Sequence, residues 1–89
     1  MDKAIQSFYK ELLREAHQWR VPISILSNLN KKMGKEDSSK IIVLLIRAIE
    51  KAILKNAQGR DRESALASMA RKRARLSELQ REITHKEGK

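Results

Sequence analysis

The sequence predicts an all-α protein, a small bundle of about four helices with a central, apolar third helix. Three observations predict this. Apolar residues recur at spacings of three and four in four separate segments, and no segment alternates as a strand would. Pro22, Gly34 and Gly59 fall between those segments. The third segment is far richer in aliphatics than the others, as a helix surrounded by neighbours must be.

The first segment predicts a helix over about residues 3–19. Asp2 can cap it, and Ile5, Phe8, Tyr9, Leu12, Leu13 and Ala16 form one apolar stripe. Pro22 ends the pattern, because the residue before a proline disfavours helix while proline itself tolerates a first turn. A short second helix is expected over residues 22–33, with Ile25, Leu26, Leu29 and Met33 as its apolar edge. Gly34 is the expected left-handed stop, and residues 34–39 read as a polar loop.

The third helix should begin near Asp37 or Ser38, with Ser38 as a cap, and end near Gln58 and Gly59. It holds Ile41, Ile42, Val43, Leu44, Leu45, Ile46, Ala48, Ile49, Ala52, Ile53, Leu54 and Ala57. The β-branched run could suggest a strand, but the spacing of three and four continues past Ile46, so helix is preferred. Asp61 can cap a fourth helix over about residues 62–84, where the apolar residues are sparser. Met69, Leu76 and Ile83 lie seven apart, with Ala65 and Leu79 on the same seam and Lys72 interrupting it. Two readings stand there: a narrow coiled-coil stripe offered to a partner, or an ordinary amphipathic helix packed on its own bundle. Residues 1–84 thus read as one domain, and residues 85–89 as a frayed tail.

Composition bounds the function. The chain of 89 residues has 20 Lys and Arg against 11 Asp and Glu, a net charge of +9. Such a field attracts polyanions, nucleic acid foremost, ahead of anionic lipid or an acidic protein. Phe8, Tyr9 and Trp19 are the only aromatics. So few rings cannot build a base-stacking platform, which favours backbone contact. Trp19 is expected to pack against Leu26 or Ile23. With no cysteine there is neither a disulfide nor a thiolate metal site. The longest apolar run, residues 41–46, is too short to span a membrane, and the first residues lack the layout of a signal peptide. A cytoplasmic protein is the expectation.

The clearest constellation is cationic. Arg71, Lys72, Arg73 and Arg75 put four cations within about two turns with no acid among them, and this is the leading candidate for phosphate contact. Lys40, Arg47, Lys51 and Lys55 fall at spacings of seven, four and four along one face of the third helix. Glu50 beside Lys51 and Glu78 near Arg75 could partly neutralise these rows. Lys31, Lys32 and Lys35 form a third cluster at the end of the second helix. A solvated surface can carry the same charges, so the rows alone are not specific. A helix-turn-helix is disfavoured because the turn is long and the third helix too apolar for a groove. A basic zipper is disfavoured because its cations would lie inside the seam and not ahead of it.

Catalysis finds no support. His17 and His85 are the only histidines and have no partner at a diagnostic spacing. There is no glycine-rich phosphate loop, no paired carboxylates and no metal-ligand pattern. We therefore expect no enzyme, no metal, no cofactor and no small-molecule substrate. The expected function is binding of a nucleic-acid phosphate backbone, RNA or DNA, as a small subunit of a nucleoprotein complex. The alternative is a protein–protein adaptor or dimerisation module acting through the seam of Met69, Leu76, Leu79 and Ile83. A membrane-surface role ranks below both, since no helix pairs interfacial aromatics with a basic face.

Overall fold

The computed structural model describes residues 3–87, with side chains described over residues 3–82. Asp2 and the side chains of Ile83 and His85, to which roles or positions were assigned above, lie outside the described residues. The chain forms α1 (Lys3–Gln18), α2 (Ile23–Met33), α3 (Ser38–Asn56) and α4 (Gly59–Glu87), and no strand occurs among the described residues. The expected all-α bundle is the fold.

Helix α3 is the hub, packing broadly against each of α1, α2 and α4. Its Ile41, Ile42, Leu45, Ile46, Ile49, Ala52 and Ile53 are all buried. Burying each large aliphatic contributes roughly 1.5–3 kcal/mol, and among the described residues six of the eight largest fully buried side chains lie on this helix. Ile5, Phe8, Tyr9, Leu12 and Ala16 meet it from α1, and Leu26, Leu29 and Met33 from α2. The Asn56 Nδ2 donates to the Trp19 carbonyl (2.9 Å), joining the last residue of α3 to the turn before α2. Arg62, in the first turns of α4, donates to the Leu54 carbonyl (2.7 Å).

The ends of the helices differ from expectation in several places. Helix α3 stops at Asn56, before the expected end near Gln58 and Gly59, and α4 continues to Glu87, past the expected end near residue 84 and into the stretch read as a frayed tail. Helix α1 stops before Pro22 can act, because Arg20 turns left-handed (φ 62°). The Arg20 N–H donates to the His17 carbonyl (3.1 Å) and the Val21 N–H to the Ala16 carbonyl (2.9 Å), which satisfies the last carbonyls of the helix. Val21 and Ala16 are both buried, at the two positions whose apolar pairing commonly accompanies such a turn. Gly34, the expected left-handed stop, is right-handed (φ −91°). The Lys32 carbonyl accepts the N–H groups of Lys35 and Glu36 (both 2.9 Å), so the turn closes without an inverted residue.

The cap of α3 is Asp37, whose carboxylate accepts the Ser39 N–H (3.0 Å), while Ser38 is already helical. Helix α4 begins at Gly59, a left-handed glycine (φ 58°), ahead of the expected start near Arg62. Asp61 therefore lies inside the first turn, where its charge suits the helix dipole without its being the cap. Trp19 is half-buried and borders a cleft with Asn56 and Ala57. Its expected neighbour Ile23 is 76% exposed.

Candidate functional site

The two cationic rows fare differently once folded. On α4, Met69, Leu76 and Leu79 are buried in the chain's own core, and Ala65 and Leu66 are packed against it. Of the two readings of this helix, packing on its own bundle is the one realised at those positions. The seam as far as Leu79 is covered and is not a free face for a partner. Its burial also fixes where the neighbouring cations point.

Lys72 is turned toward α1, where its Nζ lies 3.4 Å from the Glu15 carboxylate. Arg73 is turned toward α3, where its guanidinium grips the Glu50 carboxylate through two nitrogens, the Nε bond being 3.3 Å. Arg71 and Arg75 are exposed, and Arg75 lies 4.0 Å from Glu78 one turn on. The quartet expected to act together is therefore split. Two of its members bind the helix to its neighbours, and Arg71 alone has no acid within ion-pair distance among the described residues.

Helix α3 keeps its row intact. Lys40, Arg47, Lys51 and Lys55 are all exposed, and none is ion-paired among the described residues. Glu50, the acid nearest in sequence to Lys51, faces Arg73 on the other flank and does not neutralise the row. The periodicity that buries Ile42, Leu45, Ile46, Ile49 and Ile53 on one side of the helix places residues 40, 47, 51 and 55 on the opposite side. Lys31, Lys32 and Lys35 are exposed around the α2–α3 turn, at the Lys40 end of the row, with Glu36 and Asp37 beside them.

Beside this row the structure holds a groove that the sequence does not announce. It lies between α2 and α3, has a volume of about 690 Å³, and is floored by Val21, Ile25, Leu29, Leu44, Ala48 and Ala52. Its rim carries Arg20, Arg47, Lys51 and Lys55, and among the described residues no acidic side chain lines it. Leu44 and Ile25 remain 41% exposed within it. Arg20, which belongs to no cationic cluster in the sequence, thus joins the α3 row through the left-handed turn.

Near the other flank of α3, Asp37, Lys40, Val43, Leu44 and Arg47 line a smaller cleft with Gln80 of α4. Among the described residues, no three His, Asp or Glu side chains converge as a metal would require. No helix of the described residues is long and apolar enough to cross a membrane. The chain matches no family model, no curated protein and no solved structure.

Proposed function

We propose that this chain is a non-catalytic, basic helical protein that binds the phosphate backbone of nucleic acid through the outer face of α3. In this reading it serves in the cytoplasm as a small subunit of a nucleoprotein complex. The observation that carries the reading is the exposed, unpaired row of Lys40, Arg47, Lys51 and Lys55 with Arg20 at its end. Phosphates need cations spread along a surface without fixed base geometry, and arginine adds bidentate contact. Phe8 and Tyr9 are buried and Trp19 is half-buried, which removes the rings that base stacking would use. Arg71 and the lysines at the α2–α3 turn extend the positive field and contribute mainly to long-range attraction.

The test is a salt-titrated binding series with the purified chain against single- and double-stranded RNA and DNA of unrelated sequences. The proposal expects affinity that falls steeply with salt and varies little with sequence. Absence of binding to every one of these at about 50 mM salt would reject it, because phosphate contacts are strongest at low ionic strength.

A further inference from the structure

An aliphatic floor is not what a phosphate binder requires. We propose that the α2–α3 groove docks an acidic amphipathic helix of a partner protein, with the partner's apolar edge on the floor and its carboxylates on the cationic rim. The groove follows α3 from Leu44 to Asn56, about 18 Å at 1.5 Å per residue, which is the length of a three-turn helix.

Shape and backbone chemistry select the helix. An extended segment would turn unpaired N–H and C=O groups onto Ile25, Leu29, Leu44, Ala48 and Ala52, whereas a helix satisfies its own. Charge selects the acid. Arg47, Lys51 and Lys55 stand at spacings of four along one edge, and carboxylates at the same spacing on a partner helix would face them. A second copy of this chain does not fit, since each of its four helices carries more basic than acidic side chains. Nucleobases fit the groove poorly, because among the described residues it offers no aromatic ring and Asn56 as its only uncharged polar side chain.

The acidic helix and a phosphate backbone would share Arg47, Lys51 and Lys55, so their binding is mutually exclusive. They differ in their need for the floor. That difference separates this proposal from the one above.

The test uses the full chain, ¹⁵N-labelled, and a synthetic amphipathic peptide of about sixteen Leu, Ala and Glu residues with helical apolar spacing. Two control peptides share its length: one of the same composition with the spacing scrambled, and one with Lys in place of Glu. The expected result is saturable binding of the Glu peptide alone, with amide shifts at Leu29, Leu44, Ala48 and Ala52. Leu44→Ser combined with Ile25→Ser removes apolar floor at two already exposed positions. That variant should weaken the peptide by about tenfold or more while leaving nucleic-acid affinity within about twofold.

Lys51→Glu with Lys55→Glu should weaken the peptide too, and serves as the second variant because both positions are exposed. Equal binding of the scrambled or the Lys peptide overturns the proposal, and so does no binding of the Glu peptide. A floor variant that loses single-stranded nucleic acid instead of the peptide overturns it as well, and assigns the groove to bases. If the peptide binds as described and nucleic acid does not bind at all, this inference stands and the proposed function falls.

Discussion

Glu50 of α3 receives the Arg73 guanidinium of α4 across 23 residues of sequence, through both of its carboxylate oxygens. It does two things at once. It removes Arg73 from the set of free cations, and it turns the only acid of α3 away from Lys51 and Lys55. Among the described residues Lys40, Arg47, Lys51 and Lys55 are left without an ion-pair partner, with Asp37 the acid near the Lys40 end, and that face carries the functional proposal.

Glu50→Gln tests this division of labour. The pair is partly exposed, so its loss should lower stability by no more than about 1 kcal/mol. Freed from its partner, Arg73 should raise affinity for a polyanion at low salt. Thermal melting and a salt-titrated binding series on the same variant read both effects. A large fall in Tm would mean that the pair is a structural clamp.

Leu45 and Ile49 are fully buried in the central helix. Replacing either with Asp places an unpaired charge there, at a cost of several kcal/mol, on the order of the whole stability of a small domain. Both variants should be unfolded by circular dichroism at 25 °C. A cooperative melt near that of the parent would remove α3 from the centre of the bundle.

These core positions were legible in the sequence because burial follows periodicity, and periodicity is local. Ile42, Leu45 and Ile49 could be placed inside from their spacing alone, and so could the outward row of Lys40, Arg47, Lys51 and Lys55. The pairs Glu15–Lys72 and Glu50–Arg73 could not, because each joins residues far apart in the chain and depends on how helices pack. Arg71, Lys72, Arg73 and Arg75 therefore looked like one cluster, and packing divided them. The groove was hidden for the same reason. Ile25 and Leu44 read as core by composition, and only the placement of α2 against α3 leaves them open. The turn at Arg20 escaped notice because the residue that inverts is not a glycine, and the burial of Val21 and Ala16 that accompanies the turn is settled only by packing.

Arg20 offers a direct check on that turn. A non-glycine residue in the left-handed region costs roughly 1 kcal/mol, and glycine enters it without a Cβ clash. Arg20→Gly should stabilise the fold by up to about 1 kcal/mol, raising Tm by several degrees, on the order of 4–8 °C for each kcal/mol in a domain of this size. The helix-ending hydrogen bonds should persist, seen as unchanged amide exchange protection at Val21. A fall in Tm would contradict the left-handed assignment.

Tyr9 gives the fold a response to high pH. Burial raises its phenol above the ordinary value of 10.0, and its hydroxyl lies 3.4 Å from the Asn30 Oδ1 as a donor. The folded state therefore holds the proton more tightly than the unfolded chain. The stability linked to this group is fully present below about pH 10 and is lost as pH rises through the raised value. Tyr9→Phe should flatten the decline of Tm above about pH 10 relative to the parent. Parallel declines would mean that Tyr9 ionises as freely in the folded protein as in the unfolded chain.

Asp37 caps the central helix, and Asp37→Ala should cost about 1 kcal/mol. Because Asp37 also lies beside the lysines of the α2–α3 turn, its loss should slightly strengthen polyanion binding. Urea denaturation with an unchanged m-value would read the first effect, and low-salt affinity the second. An unchanged midpoint would mean that the cap contributes nothing.

The decisive measurement is the slope of log affinity against log salt for two double charge reversals, each compared with the parent on the same single-stranded and duplex nucleic acids. One is Lys51→Glu with Lys55→Glu, and the other is Arg71→Glu with Arg75→Glu. Each lost phosphate contact should flatten the slope by roughly 0.7 to 0.9. If α3 is the binding face, the first variant flattens it by about two such steps on every sequence and the second by less than one, with helix content unchanged in both. A parent-like slope for the first variant, with the loss confined to Arg71 and Arg75, would contradict that assignment and return the interface to α4.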